Sequence, residues 1–93
     1  MTTVIKRGGR RQSFMPSKIK KAIKGAAKEA GFSSSKMEKL VKEVGDGVID
    51  FVKKKRVIKA VDIRKSILRR LSTRAKKVAS IWKRFEKKKH GRF

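Results

Sequence analysis

The chain has no cysteine, tyrosine or asparagine, and a single proline, histidine, tryptophan and glutamine among its 93 residues. Without cysteine it forms neither a disulfide nor a zinc–thiolate centre. One histidine and seven carboxylates leave little for acid–base or nucleophilic chemistry, so a protein that is not an enzyme is expected. Glu86 and His90 stand at helical spacing, an arrangement that is ordinarily a surface contact. No G-x-x-x-x-G-K-[ST] loop is present, which excludes a P-loop nucleotidase, and no carboxylate cluster offers a metal site for magnesium. No apolar run is long enough to span a bilayer, and the start of the chain lacks an apolar signal core. The expected location is cytoplasmic, with no membrane partner. Scarce amides beside abundant lysine are the composition of a thermophile.

Positive charge is what the chain has in abundance: 30 lysines and arginines against 7 acidic residues, a net +23. A field this strong opposes compaction unless a counter-charge binds. Nucleic acid, DNA or RNA, is the commonest polyanion available, and the nucleoid or the ribosome is the expected setting. The charge is uneven. Residues 1–28 hold nine basic and no acidic residues, 29–52 hold three and five, and 53–93 hold eighteen and two. The middle segment therefore reads as left out of whatever the ends bind. The few aromatics, Phe93 excepted, fit core or boundary positions. Contacts with the phosphate backbone, with little sequence preference, are expected rather than base stacking.

One domain over residues 1–93 is expected, with a hairpin over 1–15, a helical part over 16–90 and a tail over 91–93. Val4-Ile5, the pair Gly8-Gly9 and a return to Phe14 read as two short strands joined by a glycine turn. Pro16 suits the first helical position. A first helix follows to about Ala30, with Ile19, Ala22, Ile23, Ala26, Ala27 and Ala30 as its apolar stripe and Gly31 as its end. Ser35 and Glu38 have capping-box spacing for a second helix to about Lys53. Its stripe is Met37, Leu40, Val41, Val44, Val48, Phe51 and Val52. Gly45 and Gly47 either weaken it or permit close packing. A short strand near 57–59 precedes a third helix over 63–71, capped by Asp62. Ser72 or Thr73 caps a fourth over 74–89, whose inner stripe is Ala75, Val78, Ala79, Trp82 and Phe85. The fold class is α+β, a small two- or three-stranded antiparallel sheet with a bundle of about four helices.

The order Val4-Ile5-Lys6-Arg7-Gly8-Gly9, then Phe14, then Lys18-Ile19 resembles the ATP-cone domain. That module stands at the N-terminus of many ribonucleotide reductases and in the zinc-ribbon repressor of their genes. Val57 to Ile63 is similar to the family's second conserved stretch, and Val78 to Phe85 to its closing helix, so the likeness spans most of the chain. It implies a site for ATP or dATP in a regulatory module. In that site Val4, Lys6 and Arg7 would face the nucleotide, Gly9 would let the chain's backbone approach it, Lys18 would meet phosphate and Arg64 would add a polar contact. It also implies homo-oligomers, with the less charged second helix as a contact. Gly8, Met15 and Ala60 depart from the family's polar residues at their positions. Lys54 to Ile63 also resembles the end of an archaeal histone fold, which has neither the hairpin nor the fourth helix.

The main expectation is a small basic protein that grips nucleic acid nonspecifically. Its contacts would be Arg7, Arg10 and Arg11 in the turn and Lys20, Lys21, Lys24 and Lys28 on the first helix. Lys53, Lys54, Lys55 and Arg56 would add a cluster, and Lys76, Lys77, Lys83, Arg84, Lys87 and Lys88 the last helix. A salt titration against random duplex DNA and structured RNA is expected to give a log–log slope of roughly −5 or steeper. Reversing Lys20, Lys24 and Lys28 should weaken binding for all sequences, and reversing Lys36, Lys39 and Lys42 should do little. Equal losses in both sets would place the binding face elsewhere.

Overall fold

The structure, a computed structural model, describes residues 2–90, the side chains of Arg7, Lys89 and His90 excepted. The tail expected at 91–93 lies outside the described residues. Chain order is β1 (Thr3–Ile5), β2 (Arg11–Ser13), α1 (Pro16–Glu29), α2 (Ser34–Lys53), β3 (Val57–Lys59), α3 (Ala60–Arg74) and α4 (Lys76–His90). A 3₁₀ turn over Arg7–Gly9 joins the first two strands, and Gly8 and Gly9 take φ of 84° and 83°, which residues with a Cβ rarely reach. The reversal sets Val4 against Gln12, antiparallel. β3 pairs with the other edge of β1, Val4 against Ile58, and runs parallel.

The sheet is therefore mixed, in the order β2-β1-β3, and the expected all-antiparallel sheet is corrected. The reason lies in the connections. A tight turn reverses direction, whereas the long crossover through α1 and α2 brings the chain back to start a strand in the same sense. The fold class stands as α+β, with four helices beside a small sheet.

Burial follows the helical spacing. Ile19, Ile23, Ala26 and Ala27 of α1 meet Leu40, Val44, Val48 and Val52 of α2, with Ile63, Ile67 and Leu71 of α3 and Val78 and Trp82 of α4 in the same core. Val4 and Ile58 reach it from one face of the sheet. Ile49 and Ile81 are buried as well, though the expected stripes did not include them. Phe85 was expected inside and is 39% exposed.

The helix ends shift from their expected places for local reasons. At the end of α1 the N–H groups of Gly31 and Phe32 donate to Lys28 and Ala27, both at 3.1 Å, which closes the helix there. Ser33, not Ser35, caps α2: its Oγ accepts from the Lys36 N–H at 3.3 Å, while Ser35 is already helical. α3 begins at Ala60 directly out of β3, so Asp62 lies in its first turn and is not the cap. A carboxylate there still meets the positive end of the helix. Thr73 does not cap α4. Its hydroxyl donates back to the Arg69 carbonyl at 3.0 Å and belongs to α3, which runs to Arg74. The chain breaks at Ala75, with φ −155° and ψ 86°, before α4 starts.

Thr2 ties the sheet to the helices. It is buried, and its hydroxyl lies 2.7 Å from the Lys55 carbonyl and 3.2 Å from that of Val52. The two carbonyls stand at and just past the end of α2, where that of Val52 also accepts the Lys55 N–H at 3.0 Å. The Thr3 N–H donates to Arg56 at 3.0 Å alongside. Thr2→Val keeps the shape and removes the donor, and is expected to cost about 1–2 kcal/mol in urea denaturation. Thr2→Ser should stay close to the parent. Equal stability of all three would remove this role from the hydroxyl.

Candidate functional site

Two helices begin beside the sheet with no side-chain cap. Met15 precedes α1 and Lys59 precedes α3, and neither gives its helix a capping hydrogen bond. The first N–H groups of a helix have no internal partner, and the aligned peptide dipoles make that end positive. Both starts open on one cavity of about 200 Å³. The hairpin contributes Val4, Lys6, Gln12 and Ser13 to its walls, and Phe14 and Met15 lead into α1 with Lys18, Ile19 and Ala22. Ala60, Ile63, Arg64 and Ile67 come from α3, Trp82 and Glu86 from α4.

The chemistry divides. Lys6, Lys18 and Arg64 bring positive charge from three elements, with Glu86 as the one acidic lining residue. Val4, Ile19, Ile63, Ile67 and Trp82 supply an apolar floor. Cations and the positive ends of two helices around an apolar recess suit a ligand that is anionic at one end and flat or apolar at the other.

Four of the six positions implied by the resemblance meet here: Val4, Lys6, Lys18 and Arg64. Gly9 lies in the 3₁₀ turn and does not line the cavity, and the Arg7 side chain lies outside the described residues. Of the three departing positions, Met15 and Ala60 line it and Gly8 does not. Gln12, Ser13, Phe14, Trp82 and Glu86 were not singled out for this site. Strand register could have found Gln12, which stands opposite Val4 and shares its face. Helical spacing could have found Glu86, one turn beyond Trp82.

The sheet, α1, α3 and α4 thus form a small α+β module around one cation-rimmed, apolar-floored cavity. The ATP cone domain family model matches residues 2–88, nearly the whole chain, and the chain belongs to that family. No curated protein matches it.

Of the residues expected to grip nucleic acid, those whose side chains are described are exposed. Arg10 and Arg11 stand on the hairpin, Lys21 and Lys28 on α1, Lys53 at the end of α2, and Lys54, Lys55 and Arg56 in the turn before β3. Lys20 and Lys24 border a groove shared with Glu38 and Lys42 of α2. Lys76 and Lys83 border another with Leu68 and Ser72, while Lys77, Arg84, Lys87 and Lys88 lie exposed along α4.

Two carboxylates of the acidic middle segment pair with cations of neighbouring helices. Lys20 meets Asp46 at 3.2 Å, and Arg74 meets Glu43 at 3.0 Å. α2 thus places its carboxylates against α1 and α3. Gly47 serves the same packing, since a Cβ there would come 2.6 Å from Arg70 Nη1. The atoms nearest the two glycines belong to the Arg70 and Lys20 side chains, not to a neighbouring backbone. Among the described residues no helix is long and apolar enough to cross a membrane.

The uncapped start of α1 can be probed directly. Met15 is exposed, and Met15→Ser would supply the missing acceptor. It is expected to stabilise the ligand-free protein by about 0.5–1 kcal/mol in urea denaturation. A loss of stability would mean that the methionine packs better than the cap would hold.

Proposed function

We propose that this chain is a nucleotide-sensing regulatory module that binds ATP or dATP in the cavity bounded by the hairpin, α1, α3 and α4. The observation that carries the reading is convergence: Lys6, Lys18 and Arg64 and two uncapped helix starts all face one recess. Membership of the ATP-cone family implies an adenine nucleotide as effector. The triphosphate would lie among the three cations, with the planar Arg64 fork matched to phosphate oxygens. The base would rest against Val4, Ile63, Ile67 and Trp82. The recess, about 200 Å³, is smaller than the roughly 300–1,000 Å³ of common ligand sites, so the phosphates extend past its mouth. Ala60 and Met15 bring no hydroxyl or amide, so weak discrimination between ATP and dATP is expected. The role is binding without turnover, since the ionisable side chains lining the recess are three cations and one carboxylate.

A second reading, backbone contact with DNA or RNA, is supported by the net +23 and the exposed cations of the hairpin, the turn before β3 and α4. The two are compatible, with nucleotide occupancy tuning nucleic-acid affinity or self-association.

Trp82 is the chain's one tryptophan and lines the cavity, so its emission reports the site. ATP and dATP are expected to change that emission saturably, and calorimetry should give one matching affinity. Lys18→Glu should weaken binding by about ten- to a hundredfold, the worth of a charge-assisted contact. No saturable response to either nucleotide would sink the reading. A salt slope for nucleic acid that ATP leaves unchanged would separate the second function from the first.

A further inference from the structure

Each of two opposite sides of α3 borders a cavity. Ala60, Ile63, Arg64 and Ile67 line the nucleotide recess. Asp62, Lys65, Ser66 and Arg69 line a second, larger hollow of about 620 Å³. The two sets are offset by two positions, which is about 200° around a helix of 3.6 residues per turn. The hollows share no lining residue. Ile5 and Val57–Lys59 wall the second one on the sheet side, and Phe51 and Lys55 at the end of α2.

Its chemistry is that of an anion site with an apolar floor. Lys55, Lys59, Lys65 and Arg69 outnumber Asp62 around it. Lys55 Nζ stands 5.3 Å over the Phe51 ring, and Val57 leaves 43% of its surface open. Ser66 supplies an independent sign. It is 5% exposed, it lines the hollow, and its Oγ has no hydrogen-bond partner among the described residues. A hydroxyl within a helix commonly bonds the carbonyl one turn back, as Thr73 does to Arg69, and Ser66 does not. A buried polar group without a partner is destabilising. So is crowding four like charges around one hollow. One bound anion would relieve both.

We propose that this hollow is a second anion site, separate from the nucleotide recess, that takes a phosphate ester carrying a planar body. Ser66 Oγ donates to the phosphate, Lys59, Lys65 and Arg69 neutralise it, and the floor of Ile5, Phe51 and Val57 receives the base. The ligand is a nucleotide unit, either free or as one link of a single strand, whose unpaired bases are open to such a floor. The inference does not depend on the first recess binding ATP.

The test is a ¹H–¹⁵N NMR titration of the full chain with inorganic phosphate, dAMP and single-stranded oligothymidylate. Amide resonances of Val57, Ile58, Lys65, Ser66 and Arg69 are expected to shift saturably, and to do so equally in Lys18→Glu. The double variant Lys65→Glu/Arg69→Glu, altered only at exposed positions, should lose at least tenfold in affinity there while its Lys18 and Arg64 resonances still answer to ATP. Ser66→Ala should keep the fold and weaken the site by about tenfold, the worth of one hydrogen bond to a charged group. Oligothymidylate saturating well below dAMP would identify a nucleic-acid strand as the ligand, and the reverse order a free nucleotide. Either outcome supports the site. Absence of shifts at these residues with all three probes overturns it, as do shifts that persist unchanged in the double variant. ATP failing to move Lys18 and Arg64 in the parent chain would instead remove the nucleotide reading and leave this one standing.

Discussion

Mutual repulsion among thirty basic side chains is the constraint on which this fold depends. Apolar burial must outweigh it, and the chain meets the problem through its least basic element. α2 packs between α1 and α3, and its Glu43 and Asp46 accept an arginine and a lysine from those neighbours. Both ion pairs are half exposed, and pairs of that kind add little stability. Their larger effect is to set where cations can approach one another. Arg70 reaches across the bare backbone at Gly47, a position where any side chain would meet its guanidinium. The helix that packs against α1 and α3 is thus also where one cation of each meets a carboxylate.

That arrangement gives the sheet and α3 their functional weight. Three strands of three residues each would not hold together alone. They are held by Val4 and Ile58 in the core and by Thr2 against the end of α2. Once fixed, the sheet directs two uncapped helix starts at one recess and walls a second hollow with its edge strand. α3 separates the two. Its alternate stripes carry Arg64 to one side and Lys65 with Arg69 to the other, so the two hollows share one helix as a wall. An effector domain needs a shared element of this kind if occupancy at one place is to be felt at another.

Much of this was legible from residue order. Spacing of three and four located all four helices, and Gly8-Gly9 and Gly31 marked the turn and the end of α1. Apolar stripes named most of the core, since Ile23, Val44, Leu71 and Trp82 recur with the helical period. The family likeness, carried by motifs at both ends, drew Val4, Lys6, Lys18 and Arg64 together before any contact was known. Helix starts were less legible: Ser35 was expected to cap α2 from its spacing to Glu38, and the extended backbone at Ser33 selects that residue instead. Phe85 followed the period of its helix but not its burial, because period specifies direction and not whether a neighbour is present.

Local chemistry therefore settles which segments are helical, which face of each is apolar, and how much positive charge the chain must place. These follow from side chains a few residues apart, whose relations survive in any compact arrangement. The parallel pairing of β1 with β3, the pairing of α2 carboxylates with α1 and α3, and the two hollows on opposite sides of α3 belong to packing alone. Each joins residues far apart in the chain. An unpartnered hydroxyl such as that of Ser66 stands out only when the space around it is known, because any serine in a helix could have turned back to its own backbone.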